Sequence, residues 1–232
     1  MNDTLFIVTA RGGSKGIPGK NIKPLNGKPL LYYSIDVARH FVKDDLICLS
    51  SDSKEIIDVA NAHGLNVPFV RPAELSGDEA GTYEVLLHAI KFYEEKGIKF
   101  SKVVLLQPTS PFRKKTDVEQ CLAKLKDGVE MVVSVKKPKS NPMAVLYKIA
   151  NDKIKKLFDN ENGLRRQDAD NVVELNGAVY VYDVKALKKM KPSEFKNIAY
   201  HVMDEISSID IDEPFDWQLA EFLLEKKLVN LI

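Results

Sequence analysis

Cysteine, histidine and tryptophan are scarce in this chain: two, four and one among 232 residues. Cys48 and Cys121 stand far apart without metal-ligand spacing, so no disulfide framework is expected, and a reducing, cytoplasmic setting suits them. His40, His63, His88 and His201 show no ligand spacing either, which argues against zinc. No apolar run reaches membrane-spanning length and no signal peptide is evident, so no membrane partner is expected. Net charge is nearly missing too. With 34 basic and 33 acidic side chains the balance is +1, which argues against a nucleic acid as partner of the whole protein. What remains is an ordinary globular composition, most simply one domain spanning 1–232.

The most informative absence is local. Between Thr4 and Ile35 there is no acidic residue, but there are five basic ones: Arg11, Lys15, Lys20, Lys23 and Lys28. They surround the loop ARGGSKGIPGKN, Ala10 to Asn21, which follows the apolar run Leu5–Val8. Glycines let backbone N–H groups approach a ligand, and the lysines and arginine add charge, a combination suited to a polyphosphate. A plain basic surface loop is the competing reading. The common phosphate loops do not match. Gly19-Lys20 would need glycine at position 14, where Ser14 stands, and neither Gly12 nor Gly13 has a glycine two residues on.

Around this loop the pattern alternates between strand and helix. Strands are expected at Leu5–Thr9, Leu46–Ser50, Val67–Val70, Val103–Gln107, Met131–Val135, Val179–Tyr182 and Ile209–Ile211. Helices are expected at Leu30–Phe41, Glu55–His63 (capped by Ser53 and closed by Gly64), Tyr83–Lys96, Val118–Leu125 and Pro214–Leu228. In the third helix Val85, Leu86, Ala89, Ile90 and Tyr93 share one face. This is an α/β chain with a mainly parallel sheet covered by helices on both faces, in which ligands bind beyond the carboxyl ends of the strands. Arg11, Asp52 and Gln107 would then share one rim. The rhythm breaks over 136–172, too long for a turn and too short for a domain.

Two further patterns bear on chemistry. Asp210 and Asp212 are spaced i, i+2, which on a strand puts both carboxylates on one face. Such a pair is either a solvated sheet face or a site for a hard divalent cation, and a polyphosphate loop in the same chain favours the cation. Asn176 and Tyr180, at i and i+4 of an extended segment, should also share a face, with Tyr180 alternatively a core aromatic. The stretch Ser76–Thr82 reads as a helix N-terminus, with Asp78 and Thr82 as candidate caps.

The loop motif RGGSKGIPGKN resembles the signature of the acylneuraminate (CMP–sialic acid) cytidylyltransferases. The likeness continues in order through RPAEL (Arg71–Leu75), LLQPTSPFR (Leu105–Arg113), RRQD (Arg165–Asp168), LNGAVYV (Leu175–Val181) and SIDID (Ser208–Asp212). The resemblance implies a Rossmann-like, glycosyltransferase-A-like nucleotidyltransferase that joins CTP to a nine-carbon ulosonic acid. The sugar's anomeric hydroxyl would attack the α-phosphate and pyrophosphate would leave. Arg11 and Lys20 would stabilise the phosphates, with Gly12, Gly13, Ser14, Lys15 and Asn21 holding the nucleotide. Arg71, Ala80 and Thr82 would read the cytosine. Gln107, Ser110, Asn176 and Tyr180 would meet the sugar, and Arg166 would reach a neighbouring subunit's substrate. Asp210 and Asp212 would bind Mg²⁺, and 136–172 would be the arm of a homodimer. Gln107–Pro111 also separates the chain from the enzymes for the eight-carbon acid Kdo. Glu174-Leu175 stands where some members have Arg-Pro, and Lys191–Phe195 holds one aromatic where some have two walling the N-acyl group. That gap points toward Kdn, which carries a hydroxyl there. Legionaminate is an alternative acceptor. A non-catalytic sugar-nucleotide module is the alternative function, but its expected mark, loss of Lys20 or the Asp pair, is absent.

Overall fold

The computed structural model describes residues 3–14, 16–77, 81–158 and 172–229. In chain order the elements are β1 (Thr4–Thr9), β2 (Pro24–Leu25), β3 (Lys28–Pro29), α1 (Leu30–Arg39), β4 (Ile47–Ser50), α2 (Lys54–Ala62) and α3 (Thr82–Glu95). There follow β5 (Lys102–Leu106), α4 (Lys115–Lys124), β6 (Met131–Lys136), α5 (Pro142–Val145), β7 (Tyr147–Ala150) and β8 (Lys153–Lys156). The chain ends with β9 (Glu174–Asp183), α6 (Val184–Lys189), β10 (Ile198–Val202) and α7 (Pro214–Glu225). No helix among the described residues is long and apolar enough to cross a membrane.

The main sheet has the order β10-β6-β9-β5-β1-β4. Five strands run the same way; β9 is antiparallel to both of its neighbours, β5 and β6. β1 and β5 are apolar almost throughout because each is covered on both faces. On one face Phe6, Val8 and Leu49 pack under Ile35 of α1, Ile56 of α2 and Val118 of α4. On the other, Leu5, Ile7 and Cys48 pack under α3 and Leu187 of α6. The expected face of α3 is the buried one: Val85, Leu86, Ala89, Ile90 and Tyr93. Ser53 caps α2 by accepting from the Ile56 N–H, and Gly64 follows its end at φ +84°.

Several elements differ from the sequence reading. Residues 66–72 form no strand; they lie beside the end of β4, where the Arg71 N–H donates to the Ser51 carbonyl (2.7 Å) in place of a ladder. Residues 209–212 form no ladder either, and hold position through Ile211 N–H donating to the Thr109 carbonyl (2.8 Å). β10 is an added edge strand, overlooked because its residues alternate only between exposed and half-buried. Within 136–172 there is a short helix, α5, and the β7–β8 hairpin, turned by Asn151 and Asp152 at φ +52° and +56°.

A third, smaller cluster sits at the rim. Ile17 of the glycine-rich loop, Leu25, Leu30, Phe112, Ile211 and Trp217 of α7 are buried together. The loop and the 210–212 segment therefore share one apolar anchor, and they approach closely: a Cβ added to Gly16 would lie 2.2 Å from the Asp212 carbonyl oxygen. Gly13 has nothing within 4 Å of the same construction. Gly16→Ala should therefore cost about 1–3 kcal/mol, as overpacking does, while Gly13→Ala should stay within about 0.5 kcal/mol. Urea unfolding midpoints of the two variants decide this, and equal midpoints would contradict the close approach.

Candidate active site

A cleft of about 580 Å³ opens at the carboxyl ends of the parallel strands. Arg11, Ser14, Lys20, Asn21, Arg71, Thr82, Gln107, Asp210 and Asp212 all line it, from segments spread over the whole chain. β1 delivers the loop, β4 the support for Arg71, β5 Gln107, and the rim cluster positions the acidic pair.

Two buried cations stand in its wall. Lys20 is 8% exposed; its Nζ donates to the Ile211 carbonyl (2.7 Å) and to Asp212 Oδ1 (2.9 Å). Arg71 is 7% exposed, with Nε donating to Ser50 Oγ (3.0 Å) and Nη2 to the Ser50 carbonyl. Burial lowers the Arg71 pKa, opposed by the charge of Asp52. Asp52 also accepts from the Gly12 N–H (3.0 Å), and Asn21 donates to the Arg11 carbonyl (3.0 Å). The loop is thus held from both ends, and the Gly12 N–H expected for a ligand is already used by the protein. Neither Gly12 nor Gly13 lines the cleft. Lys15, Ala80 and Arg166 lie outside the described residues.

The two aspartates are not equivalent. Ile211 between them is fully buried, which turns both side chains toward the cleft, but Asp212 is 69% exposed at the lip whereas Asp210 is recessed. Asp210 Oδ1 is buried without a hydrogen-bond partner. Burial pushes the Asp210 pKa up, with Thr109 opposing and the charge of Asp212 adding to the rise.

The sugar-side expectations divide. Gln107 lines the cleft. Ser110 does not: it is fully buried, and the hydroxyl residue of that turn that lines the cleft is Thr109, which the sequence reading passed over. Asn176 is also turned inward. Its amide donates to Ser208 Oγ (2.9 Å), and its Oδ1 accepts from Ser134 Oγ (2.6 Å). Asn176 and Tyr180 do not share a face, because a bulge intervenes. Val133 pairs with Tyr180 and Val135 with Leu175, so 176–179 oppose a single residue, with Gly177 at φ +73°. Tyr180 lies against the second core cluster, stacked on Tyr182 with ring centroids 6.3 Å apart. The sequence reading also missed Arg113 and Gly16. Both stood inside quoted motifs, but only their packing reveals a role.

A second, more apolar cavity of about 1000 Å³ shares Leu75, Gly77 and Thr82 with the cleft. Tyr83, Leu86, Tyr182 and Pro192 form its apolar wall, with Lys191 and Ser193 beside them. Phe195 is not part of that wall; it is buried in the core.

Comparison with known proteins bears on family and fold. A family model described as Cytidylyltransferase matches residues 5–226. The chain is 33% identical over 230 residues to a CMP-N,N'-diacetyllegionaminic acid synthase of Legionella pneumophila, covering 95% of this chain and 96% of that one. It is 30% identical over 227 residues to an N-acylneuraminate cytidylyltransferase of Escherichia coli O18:K1:H7, covering 96% of this chain and 52% of that protein. Among solved structures, a CMP:2-keto-3-deoxy-manno-octonic acid synthetase complexed with CTP superposes with a TM-score of 0.69 at 15% identity, covering 97% of this chain and 99% of that one, a likeness of fold. With a family match across nearly the whole chain and a relative 33% identical over 95% of it, this chain belongs to the cytidylyltransferase family, in the acylneuraminate branch that its motifs resemble.

Proposed function

We propose that this protein transfers CMP from CTP to the anomeric hydroxyl of a nine-carbon ulosonic acid, releasing pyrophosphate. The observation that carries the reading is the convergence of Arg11, Lys20, Arg71, Thr82, Gln107 and the Asp210–Asp212 pair on one cleft. Thr82 opens α3, whose first turn brings the positive end of a helix dipole to the nucleotide side. Arg71 and Thr82 would take the cytosine, and Arg11 and Lys20 the phosphates. Lys20 is poised for exchange: a triphosphate competes with Asp212 for its ammonium, and charge building on the leaving pyrophosphate strengthens that contact during reaction.

The acidic pair fits Mg²⁺. Asp210 offers a buried oxygen without a partner, and two carboxylates suit an ion that completes its shell from phosphates and water. Asp210 and Asp212 would hold it. Bound there, the ion supplies neutralisation of phosphate charge and a more acidic attacking hydroxyl.

Two features bear on the acceptor. The missing aromatic pair at 191–195 favours Kdn. The cavity beside the cleft favours an acylated acid instead, because Tyr83, Leu86 and Tyr182, from other elements, join Pro192 in an apolar wall that 191–195 could not form alone. The Legionella and Escherichia coli relatives are also named for acylated acids. We favour the acylated acceptor. The arm is the remaining part: Ile149 and Ile154 face each other across the β7–β8 hairpin, 83% and 66% exposed, and a lone hairpin with bare apolar side chains needs cover. A second copy of the chain supplies that cover in this reading.

Three outcomes test these statements. In a pyrophosphate-release assay with CTP, Mg²⁺ and paired acceptors, N-acetylneuraminate or diacetyllegionaminate should outcompete Kdn by about tenfold or more, the scale of one apolar contact; a Kdn preference sinks the acyl reading, and no release with any acid sinks the function. By calorimetry, Mg²⁺ should tighten CTP binding to the wild type but not to Asp210→Asn, and equal tightening in both would remove Asp210 from the ion's site. Light scattering should find a dimer at assay concentrations, and an active monomer would refute the role given to the arm.

A further inference from the structure

Arg113 heads the fully buried side chains of the described structure, at 1% exposure, yet none of its hydrogen bonds goes to a carboxylate. Its fork reaches three segments. Nε donates to the Ala178 carbonyl in β9 (2.9 Å), Nη1 to Ser34 Oγ in α1 (2.7 Å), and Nη2 to the Gln107 carbonyl just past β5. Ser34 Oγ donates in turn to the same Gln107 carbonyl (3.4 Å). Burying a guanidinium on neutral oxygens alone is expensive, so a cheaper apolar residue would serve if only packing were needed.

The site explains the expense. Gly177, next to Ala178, lies between two groups of the cleft: a Cβ built on it would sit 3.4 Å from Gln107 Oε1 and 3.7 Å from Asp210 Oδ2. The Gln107 side chain therefore rests against the bulge of β9, and the spacing between the Gln107 and Ala178 backbones decides where its amide points. Arg113 binds both backbones at once. A lysine, with one ammonium, cannot hold the same three directions in a plane.

We propose that Arg113 is a positioning residue for the acceptor: by clamping Gln107 to the β9 bulge, it sets where the Gln107 amide meets the sugar beside Asp210. The proposal rests on the reading that Gln107 faces the acceptor, whereas the nucleotide side, held by Arg71 and Lys20, does not pass through Arg113.

The test is a double-mutant cycle of Arg113→Lys and Gln107→Ala, with initial rates measured while acceptor and CTP are varied separately. Arg113→Lys should raise the acceptor KM by about tenfold, roughly one hydrogen bond's worth, with the CTP KM nearly unchanged. In the Gln107→Ala background the same substitution should then have almost no further effect on the acceptor KM. Equal rises in both KM values, or an additive effect in the double variant, overturn the proposal and leave Arg113 a structural residue. Gln107→Ala with an unchanged acceptor KM overturns the sugar-side reading of Gln107 and the proposal with it, whereas loss of all turnover with every acid in the wild type strikes the proposed function itself. If Arg113→Lys does not fold, Ser34→Ala carries the test: it removes one of the three acceptors and should raise the acceptor KM selectively, and a rise shared with CTP, or none, counts against the clamp.

Discussion

Burial of Ile211 in the rim cluster is the constraint from which the cleft end of the molecule is built. Burying such a side chain is worth roughly 1.5–3 kcal/mol, more than one exposed ion pair provides. It places the Ile211 carbonyl where Lys20 can donate to it and sends the flanking aspartates into the cleft. Ile17 enters the same cluster from the glycine-rich loop, so the cationic and anionic parts of the site share one foundation. The close passage of Gly16 over Asp212 follows from that anchoring.

On this foundation the electrostatics are deliberately unbalanced. Lys20, Arg71 and Arg113 are each under 10% exposed, and only Lys20 touches a carboxylate. Cations removed from water and left on carbonyl and hydroxyl oxygens lose hydration that neutral partners repay in part. For Arg71, in the cleft wall, an anionic or strongly accepting ligand restores it. Arg113 cannot be reached from the cleft, and its charge acts across a gap on Asp210, helping to offset the burial that disfavours that carboxylate. In the function proposed, a polyphosphate and a cation meet charges that already stand in place, which is how preorganisation lowers the cost of reorganising during reaction.

Much of this was legible in the sequence wherever periodicity and local chemistry act over short range. The five-residue apolar face of α3, the Ser53 cap and Gly64 stop of α2, and the doubly covered β1 and β5 needed only neighbours along the chain. The same local logic brought Arg11, Asp52 and Gln107 to one rim, and Arg11 and Gln107 do line the cleft. It failed for the shared face of Asn176 and Tyr180 and for a strand at Ile209–Ile211, while Ser110, turned toward the sugar only by the resemblance, is buried. The i, i+4 rule for Asn176 and Tyr180 assumes an unbroken strand, and the bulge at 176–179 breaks it. Ser110 and Thr109 are adjacent hydroxyls, and only the course of the turn decides which one the cleft sees. Asp210 and Asp212 face the cleft together without any strand, because burial of the residue between them does what a ladder would have done.

The antiparallel course of β9 accounts for the rest. In a parallel strand the carboxyl end reaches the ligand rim; in β9 it is the amino end, so Leu175–Val179 arrive there opposite Val135 and Leu106. The arm that begins after β6 and returns into β9 must therefore leave and re-enter the body at the rim itself. Any segment inserted between these two strands is delivered to the mouth of the site without further design. The bulge belongs to the same arrangement. A regular ladder would carry its alternation straight to the strand end, whereas the extra residues let Asn176 turn inward to Ser134 and Ser208 while Gly177 passes close to Gln107 and Asp210. Local regularity is given up where three segments converge on the cleft, and a buried arginine and a buried amide hold the irregular piece in shape.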